Sequence, residues 1–407
     1  MVKRISEHGD VAVFIGLDVG KGEHHAVALD RDGNRLFDKP LPNSEAKLRA
    51  LIEPLKARGL VLLVVDQPAT IGALPVAVAQ AVGVLVGYLP GLAMRRAADL
   101  HPGEAKTDAR DALIIAETAR TMPHTLRAID IADEDIAELT MLCGFDDDLL
   151  GEITRVTNRA RGVLTQIQPA LERVIGPRLH HPAITDLLAR WGSPTAIRKA
   201  GLRRVTTQLV KRAPRAGARW ATDIFQALDE QTVVVAGTEA AAVVLPRLAT
   251  QLDLLQSQRN EVATRVEELV AAHPLSIVLT SMPAVGVRTA ARLLTELVGK
   301  EFATAGHLAA YAGLAPVTRR SGSSIRGEHK SRRGNKTLKR ALYLSAFAAL
   351  RLDERSRAYY DRKRAEGKNH RQALIALARR RSDVLFAMIR DGVLYDPPQR
   401  GQLASAA

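Results

Sequence analysis

Two apolar runs near the N-terminus limit what this chain can fold into more than any other feature. VAVFIGLD (11–18) and LVLLVVD (60–66) are almost unbroken by polar side chains, and each stops at an aspartate, Asp18 and Asp66. Runs of that length bounded by turn residues read as buried strands of an α/β domain. HHAVALD and RLFDKPL read as further strands paired across an Asp32-Gly33 turn. Asn43 or Ser44 is placed to cap a helix over SEAKLRALIEPLKA that stops at Gly59. IGALPVAVAQAVG then reads as a helix and VLVGYL as a strand. The expected order is three meandering strands, a helix, a strand, a helix and a strand, in a domain spanning 1–128. If the strands ending at Asp18 and Asp66 lie side by side, both carboxylates face one crevice, the usual place for a site in an α/β sheet.

Beyond it the expected class changes to all-α. Residues 129–273 carry helical spacing, the acidic clusters DEDIAEL and DDDLLGE, and a turn-rich break at WGSPTAIRKAGL. LPRLATQLDLLQSQRNEVATRVEELVAAH is amphipathic, and reads either as a coiled-coil dimerisation arm or as a helix packed on its own chain. A compact helical domain, 274–407, follows. Its SMPAVGVRTAARLLTEL reads as a helix, a Pro/Gly hairpin and a second helix beginning near Thr289. A helix-hairpin-helix of this kind holds DNA phosphates on backbone N–H groups; a plain helical hairpin is the alternative.

KTDARDA adds Asp108 and Asp111, at i and i+3 on one face of a helix start that Thr107 is placed to cap. Singly, each aspartate is ordinary: strand ends and helix starts favour Asp, and Asp111 fits a solvated face. Four carboxylates in one cleft would stay protonated unless a cation compensates, and oxygen ligands without His or Cys suit Mg²⁺. Two such ions could clamp a phosphodiester. GLDVGKGEHHAVALD also resembles the start of actin-like ATPases and sugar kinases, but the second phosphate loop and the Gly-rich adenosine site those need are not apparent.

The chain has a net charge of +14, and the excess is local. Between Arg319 and Arg390 lie 21 Lys/Arg against 6 Asp/Glu, while the remaining residues carry 37 against 38. One basic block points to a polyanion, nucleic acid first and an anionic membrane a distant second. Aromatic residues make up only 4%, which argues against base stacking as the main binding mode. The single cysteine, Cys143, excludes a disulfide framework and a Cys-rich zinc site, and fits a cytoplasmic, nucleoid-associated protein. No signal peptide is visible at MVKRISEHGD, and the uncharged stretch 67–94 is broken by Pro75, Gln80, Gly83 and Pro90, so no membrane span is expected. The block opens with TRRSGSSIRGEHKSRRGNKTLKRAL, where three serines, Ser321, Ser323 and Ser324, sit among cations. Lys336, Lys339 and Arg340 form one cationic stripe on the helix that follows, and 355–381 continues with a second basic face.

With IGLDVGK, VVDQPA, KTDARDA, SMPAVGVRTAARLL and YAGLAPVTRRSGSSIRGEHKSRRGNKTLKRAL in this order, the chain resembles the DEDD-type insertion-sequence transposases over nearly its whole length. That resemblance implies an RNase H-like (RuvC-like) N-terminal domain with Asp18, Asp66, Asp108 and Asp111 as the metal-binding tetrad. It implies a C-terminal domain whose serine before glycine, Ser321, is the nucleophile. It also implies a homodimer or tetramer joined by the helical middle, with active sites combining tetrad and serine from different subunits. The expected partners are donor and target DNA and a structured guide RNA from the element itself. One departure stands out: the family's second acid is usually Glu, and Asp66 is shorter by one C–C bond, roughly 1.5 Å.

No acid is evident in the loop to orient His329, so help for the Ser321 hydroxyl must come from charge: Arg319, Arg320, Arg326 and Lys330 beside it, and Mg²⁺ on the tetrad. Arg332, Arg333, Lys336, Lys339 and Arg340 complete the expected nucleic-acid contacts. Two other readings stay open. A metal-dependent nuclease or junction resolvase would hydrolyse without an adduct. A non-catalytic nucleic-acid-binding protein would lose no activity when Asp18 and Asp108 become alanine.

Overall fold

The computed structural model describes residues 10–68, 70–101, 107–128, 134–300, 302–321, 325–329, 331 and 333–396. The chain divides into two compact units, 1–133 and 134–407.

The first unit is built on a mixed sheet in the order β3-β2-β1-β4-β5-β6. Its strands are β1 (Val11–Asp18), β2 (Glu23–Asp30), β3 (Arg35–Pro42), β4 (Leu60–Val65), β5 (Leu85–Tyr88) and the two-residue β6 (Arg127–Ala128). β1, β4 and β5 run parallel, and β2, β3 and β6 pair antiparallel to their neighbours. The expected element order holds. Helices α1 (Glu45–Lys56) and α2 (Ala73–Ala81) pack on one face, against Val13, Ile15 and Leu17 of β1 and Leu63 and Val65 of β4. α4 (Asp108–Thr121) packs on the other, with Phe14, Leu62 and Val64, after the short α3 (Gly91–Ala98). Both faces are covered at β1 and β4, which is why these two strands are apolar at nearly every position. Ser44 takes the N-cap position of α1, but its side chain makes no capping bond. The uncharged stretch 67–94 contains α2, β5 and the start of α3, and no helix among the described residues is long and apolar enough to cross a membrane.

The second unit is largely helical: α5 (Glu134–Ile167), α6 (Pro169–Ile175), α7 (Pro182–Trp191), α8 (Pro194–Ala200), α9 (Leu202–Arg212), α10 (Gly217–Asp229), α11 (Thr238–Ala272), α12 (Ser276–Ser281), α13 (Val287–Leu297) and α14 (Ala305–Tyr311). The hairpin β7 (Val317–Ser321) and β8 (Ile325–His329) follows, then α15 (Lys336–Leu352), α16 (Glu354–Ala365) and α17 (His370–Asp391). α5 and α11 lie antiparallel, clipped by Arg265–Glu138 at 2.7 Å near one end and Arg259–Asp146 at 2.8 Å further along. Arg292 of α13 joins the second clip at Asp146, 3.4 Å away, and also pairs with Asp147 at 2.8 Å. Much of the apolar stripe of α11, including Leu245, Leu252 and Val266, is therefore spent inside its own chain. A single apolar cluster runs from Leu139 to Met388. α13 begins at Val287, two residues before the expected start, and Ala284 in the preceding turn holds a left-handed φ of 63°.

Candidate functional site

In the first unit the strand register decides which acids meet. β1 and β4 are parallel neighbours with Leu17 opposite Val65, so Asp18 and Asp66 leave the sheet side by side at the carboxyl ends. Strand alternation puts both on the face of Phe14, Leu62 and Val64, the face that α4 covers. α4 sits very close to that face because β1 has Gly16 there: a Cβ on Gly16 would lie 2.2 Å from the Ala112 carbonyl oxygen and 2.4 Å from the Ala116 nitrogen. The C-terminal end of α4 points back along the sheet, where Arg120 donates to the Arg31 carbonyl. From Gly16 to Asp18 the strand advances about 7 Å, and from Ala112 back to Asp108 the helix recedes about 6 Å. The first turn of α4 thus comes level with the aspartates of the strand ends.

Thr107 caps this helix as expected, accepting from the Arg110 amide at 3.2 Å. Asp108 is exposed, and Asp18, Asp66 and Asp111 are half-buried. Burial pushes the Asp66 carboxyl above the usual carboxylate range, and the nearby Asp111 charge adds to the rise. Hydrogen bonds from its own amide, the Gln67 side chain and the Val19 backbone pull the other way. Asp66 Oδ1 is buried with no hydrogen-bond partner among the described residues. A buried, unpartnered carboxylate oxygen beside a second acid is the environment a hard cation relieves, so the residues fit a divalent metal. Among the described residues, however, no three His, Cys, Asp or Glu side chains stand close enough to hold an ion together. The fold brings the acids to one edge without closing a ligand shell.

In the second unit, the register of the β7–β8 hairpin sets Arg319 opposite Gly327, Arg320 opposite Arg326 and Ser321 opposite Ile325. Ser323, Ser324, Lys330 and Arg332 lie outside the described residues. The base of the hairpin is held by a clasp that the sequence did not reveal. Gly313 and Gly334, with φ of 65° and 104°, pack backbone to backbone: a Cβ on Gly334 would lie 2.4 Å from the Gly313 nitrogen, and one on Gly313 would lie 2.2 Å from the Arg333 carbonyl oxygen. The Asn335 amide donates to the Tyr311 carbonyl at 2.7 Å, and its side-chain oxygen caps α15 by accepting from the Leu338 amide at 2.8 Å. Its side-chain nitrogen donates to Glu296 and to the Tyr311 hydroxyl. Lys339 reaches the Gly313 carbonyl at 2.6 Å. Of the expected cationic stripe, Lys336 and Arg340 stay exposed, as does Arg333, while Lys339 serves the clasp.

Arg381 is another residue whose role the sequence hid. It is 4% exposed, and its guanidinium donates to the Pro283 carbonyl in the turn before α13 and to Ser345 Oγ of α15. Burial pulls its pKa down to about 10. One cation of the basic block is therefore an internal tie between three elements.

Comparison with known proteins finds transposases along both units. A family described as "Transposase" matches residues 15–169, and one described as "Transposase IS116/IS110/IS902 family" matches 277–361. The 43.6 kDa protein of insertion element IS110 from Streptomyces coelicolor is 59% identical over 389 residues, covering 95% of this chain and 96% of its own. The 42 kDa protein of insertion element IS900 from Mycobacterium paratuberculosis is 38% identical, covering 95% and 97%. A pilin gene-inverting protein of Moraxella bovis is 33% identical over 124 residues, 29% of this chain and 38% of its own.

Proposed function

The chain belongs to the IS110/IS116/IS900 family of transposases, and from that premise we propose that it cuts and rejoins DNA through a covalent phosphoserine intermediate on Ser321. A transposase acts on DNA, and its DEDD domain implies a divalent metal. We assign residues 1–128 as an RNase H-like, RuvC-like catalytic domain, 129–273 as a linker and dimerisation region, and 274–407 as the serine-bearing domain with a DNA-holding helix-hairpin-helix. The observation that carries the reading is the presence in one chain of an acid-lined sheet edge and a clasped basic hairpin with Ser321 at a strand end.

Asp18, Asp66, Asp108 and Asp111 are the side chains that would hold the metal, as two Mg²⁺ ions. When bound, the metal polarises the scissile phosphate. Ser321 Oγ attacks phosphorus, forming a serine–phosphate ester as the bond from phosphorus to the deoxyribose oxygen breaks; the proton lost by the serine hydroxyl balances the one that the departing oxygen takes up to become a hydroxyl. Arg319, Arg320 and Arg326 on the hairpin strands, with Lys330 beyond β8, supply positive charge for the alkoxide and for the phosphoryl transition state. One phosphodiester replaces another, so rejoining needs no nucleotide hydrolysis. Arg332, Arg333, Lys336 and Arg340 contact nucleic-acid backbone. Lys339, placed in the same set by sequence, acts through the clasp instead.

We further infer that the active protein is a homodimer or tetramer and that a structured RNA from the element guides it to donor and target DNA. The concentrated basic block supports a nucleic-acid load beyond one duplex. A relative named as a gene-inverting protein, similar over 29% of this chain, supports strand exchange over hydrolysis. The test is covalent trapping: protein, Mg²⁺ and end-labelled element DNA give a protein–DNA adduct that survives denaturation and disappears in Ser321→Ala. Hydrolysed product without adduct, unchanged in Ser321→Ala, would establish the nuclease reading instead.

A further inference from the structure

The C-terminal helices expose an aromatic cluster in a chain that has few aromatic residues. Phe347 of α15 is 47% exposed and meets the His370 ring edge-on, with centroids 6.4 Å apart at 84°. His370, at the start of α17, meets Tyr360 of α16 in the same way, at 5.7 Å and 76°. Its Nδ1 shares a 2.7 Å hydrogen bond with the Tyr360 hydroxyl, which fixes the ring. The cluster continues a face of α15 in which Lys336, Arg340, Leu344, Phe347 and Arg351 recur at helical spacing, and all five are exposed. Arg371 and Lys368, both exposed, flank His370 in sequence. Cations therefore bracket a patch whose apolar part gains nothing from water.

We propose that Phe347, His370 and Tyr360 form a stacking platform for unpaired bases of single-stranded DNA leaving the serine hairpin. The inference rests on the strand-exchange reading for the identity of the strand. Aromatic rings bracketed by arginine and lysine match a polymer of flat bases and phosphates, whereas the centre of a protein interface is depleted in lysine. Bases inside a duplex are already stacked, so the platform selects unpaired ones. The N-terminus of α15 is held at the base of the hairpin through Asn335, and Ser321 lies at the other end of β7, about 13 Å along the strand from Val317, so a DNA strand running from Ser321 down the hairpin meets the start of α15 next. From Lys336 to Phe347 the helix advances about 16 Å, a reach of a few nucleotides of an unpaired strand. Lys336 and Arg340 then hold phosphates, and Phe347 receives a base.

The experiment measures binding of full-length protein to a single-stranded oligodeoxynucleotide carrying one 2-aminopurine, to the blunt duplex of the same sequence, and to the matching oligoribonucleotide. Single-strand binding quenches the fluorescence. Phe347→Ala and His370→Ala each weaken that binding by about 5- to 150-fold and remove the quenching, while duplex affinity stays within about twofold. Phe347→Trp, which keeps a ring, retains both signals and guards against simple misfolding. Unchanged single-strand affinity in Phe347→Ala, or an equal loss on the duplex, overturns the proposal. So does quenching by the oligoribonucleotide alone, which would make the face an RNA site. A change of sedimentation coefficient in Phe347→Ala would make it a contact between copies, and also overturns it. The same measurements on Ser321→Ala keep the two claims apart. Platform-dependent quenching with no wild-type adduct would end the strand-exchange reading and leave the platform standing.

Discussion

Gly16→Ala is the sharpest test of how the first unit brings its acids together. The added methyl would sit 2.2 Å from the Ala112 carbonyl oxygen and 2.4 Å from the Ala116 nitrogen, where ordinary contact begins near 3.4 Å. Both atoms belong to the backbone of α4, so no side chain can swing aside; the helix itself has to move by about 1 Å. Overpacking of this kind costs about 1–3 kcal/mol. At roughly 4 °C per kcal/mol for a domain of this size, the first unit should melt about 4–12 °C lower. The shift carries Asp108 and Asp111 away from Asp18 and Asp66, and a displacement of about 1 Å at reacting groups costs about 100-fold in rate. Urea and thermal melts followed by circular dichroism measure the first effect, and the covalent-trapping rate at a temperature where the variant is folded measures the second. A variant that melts within about 1 °C of the parent and traps DNA at the parental rate would refute the close seating of α4 as the device that aligns the acids.

In the clasp, Gly334→Ala combines a left-handed backbone with a contact at 2.4 Å, and is expected to destabilise the second unit by about 3–5 kcal/mol in urea titrations. Arg381→Lys keeps the charge but loses the fork that reaches both Pro283 and Ser345, and should cost about 3 kcal/mol by the same measurement. Lys336→Ala and Arg340→Ala should each lower the slope of log affinity for DNA against log salt by about 1; Lys339→Ala should instead act mainly on stability, through the Gly313 carbonyl. Because burial raises the Asp66 pKa, the folded state holds that proton more tightly than the unfolded chain does. Metal-free stability of the first unit should therefore fall as pH rises from about 4 through the raised value, a decline that Asp66→Asn removes in pH-dependent melts. Added Mg²⁺ should raise the melting temperature of the parent and not that of Asp66→Asn.

Much of this was legible in the residues. Local signals dominate the first unit: apolar runs, an Asp-Gly turn and the Thr107 cap each specify structure within a few positions, and the order of elements along the chain followed, while the side-by-side placing of β1 and β4 was left open. The basic block was equally plain, since charge is read by counting. The amphipathic stripe of α11 was visible too, but not its partner, because a stripe of leucine and valine suits α5 of the same chain as well as a second copy. The chosen cations were read unevenly for the same reason: Lys336 and Lys339 look alike in sequence, yet one is exposed and the other is held by a carbonyl from 26 residues away.

Sequence by itself determined the α/β-then-helical order, the aspartates at the strand ends and the place of the basic loop, though not its pairing as β7 and β8, because periodicity, capping and charge are properties of neighbouring residues. Tertiary structure alone decided the rest. Which face α4 covers, and so which acids share an edge, depends on Gly16 meeting a helix about a hundred residues away. Gly313 and Gly334 look like ordinary turn glycines until two loops are seen packed backbone to backbone, and Arg381 looks like a surface cation until it is found buried beneath a hairpin turn. Close approach between distant segments leaves no mark on the residues beside them, since each glycine or arginine satisfies its local rules equally well without the contact.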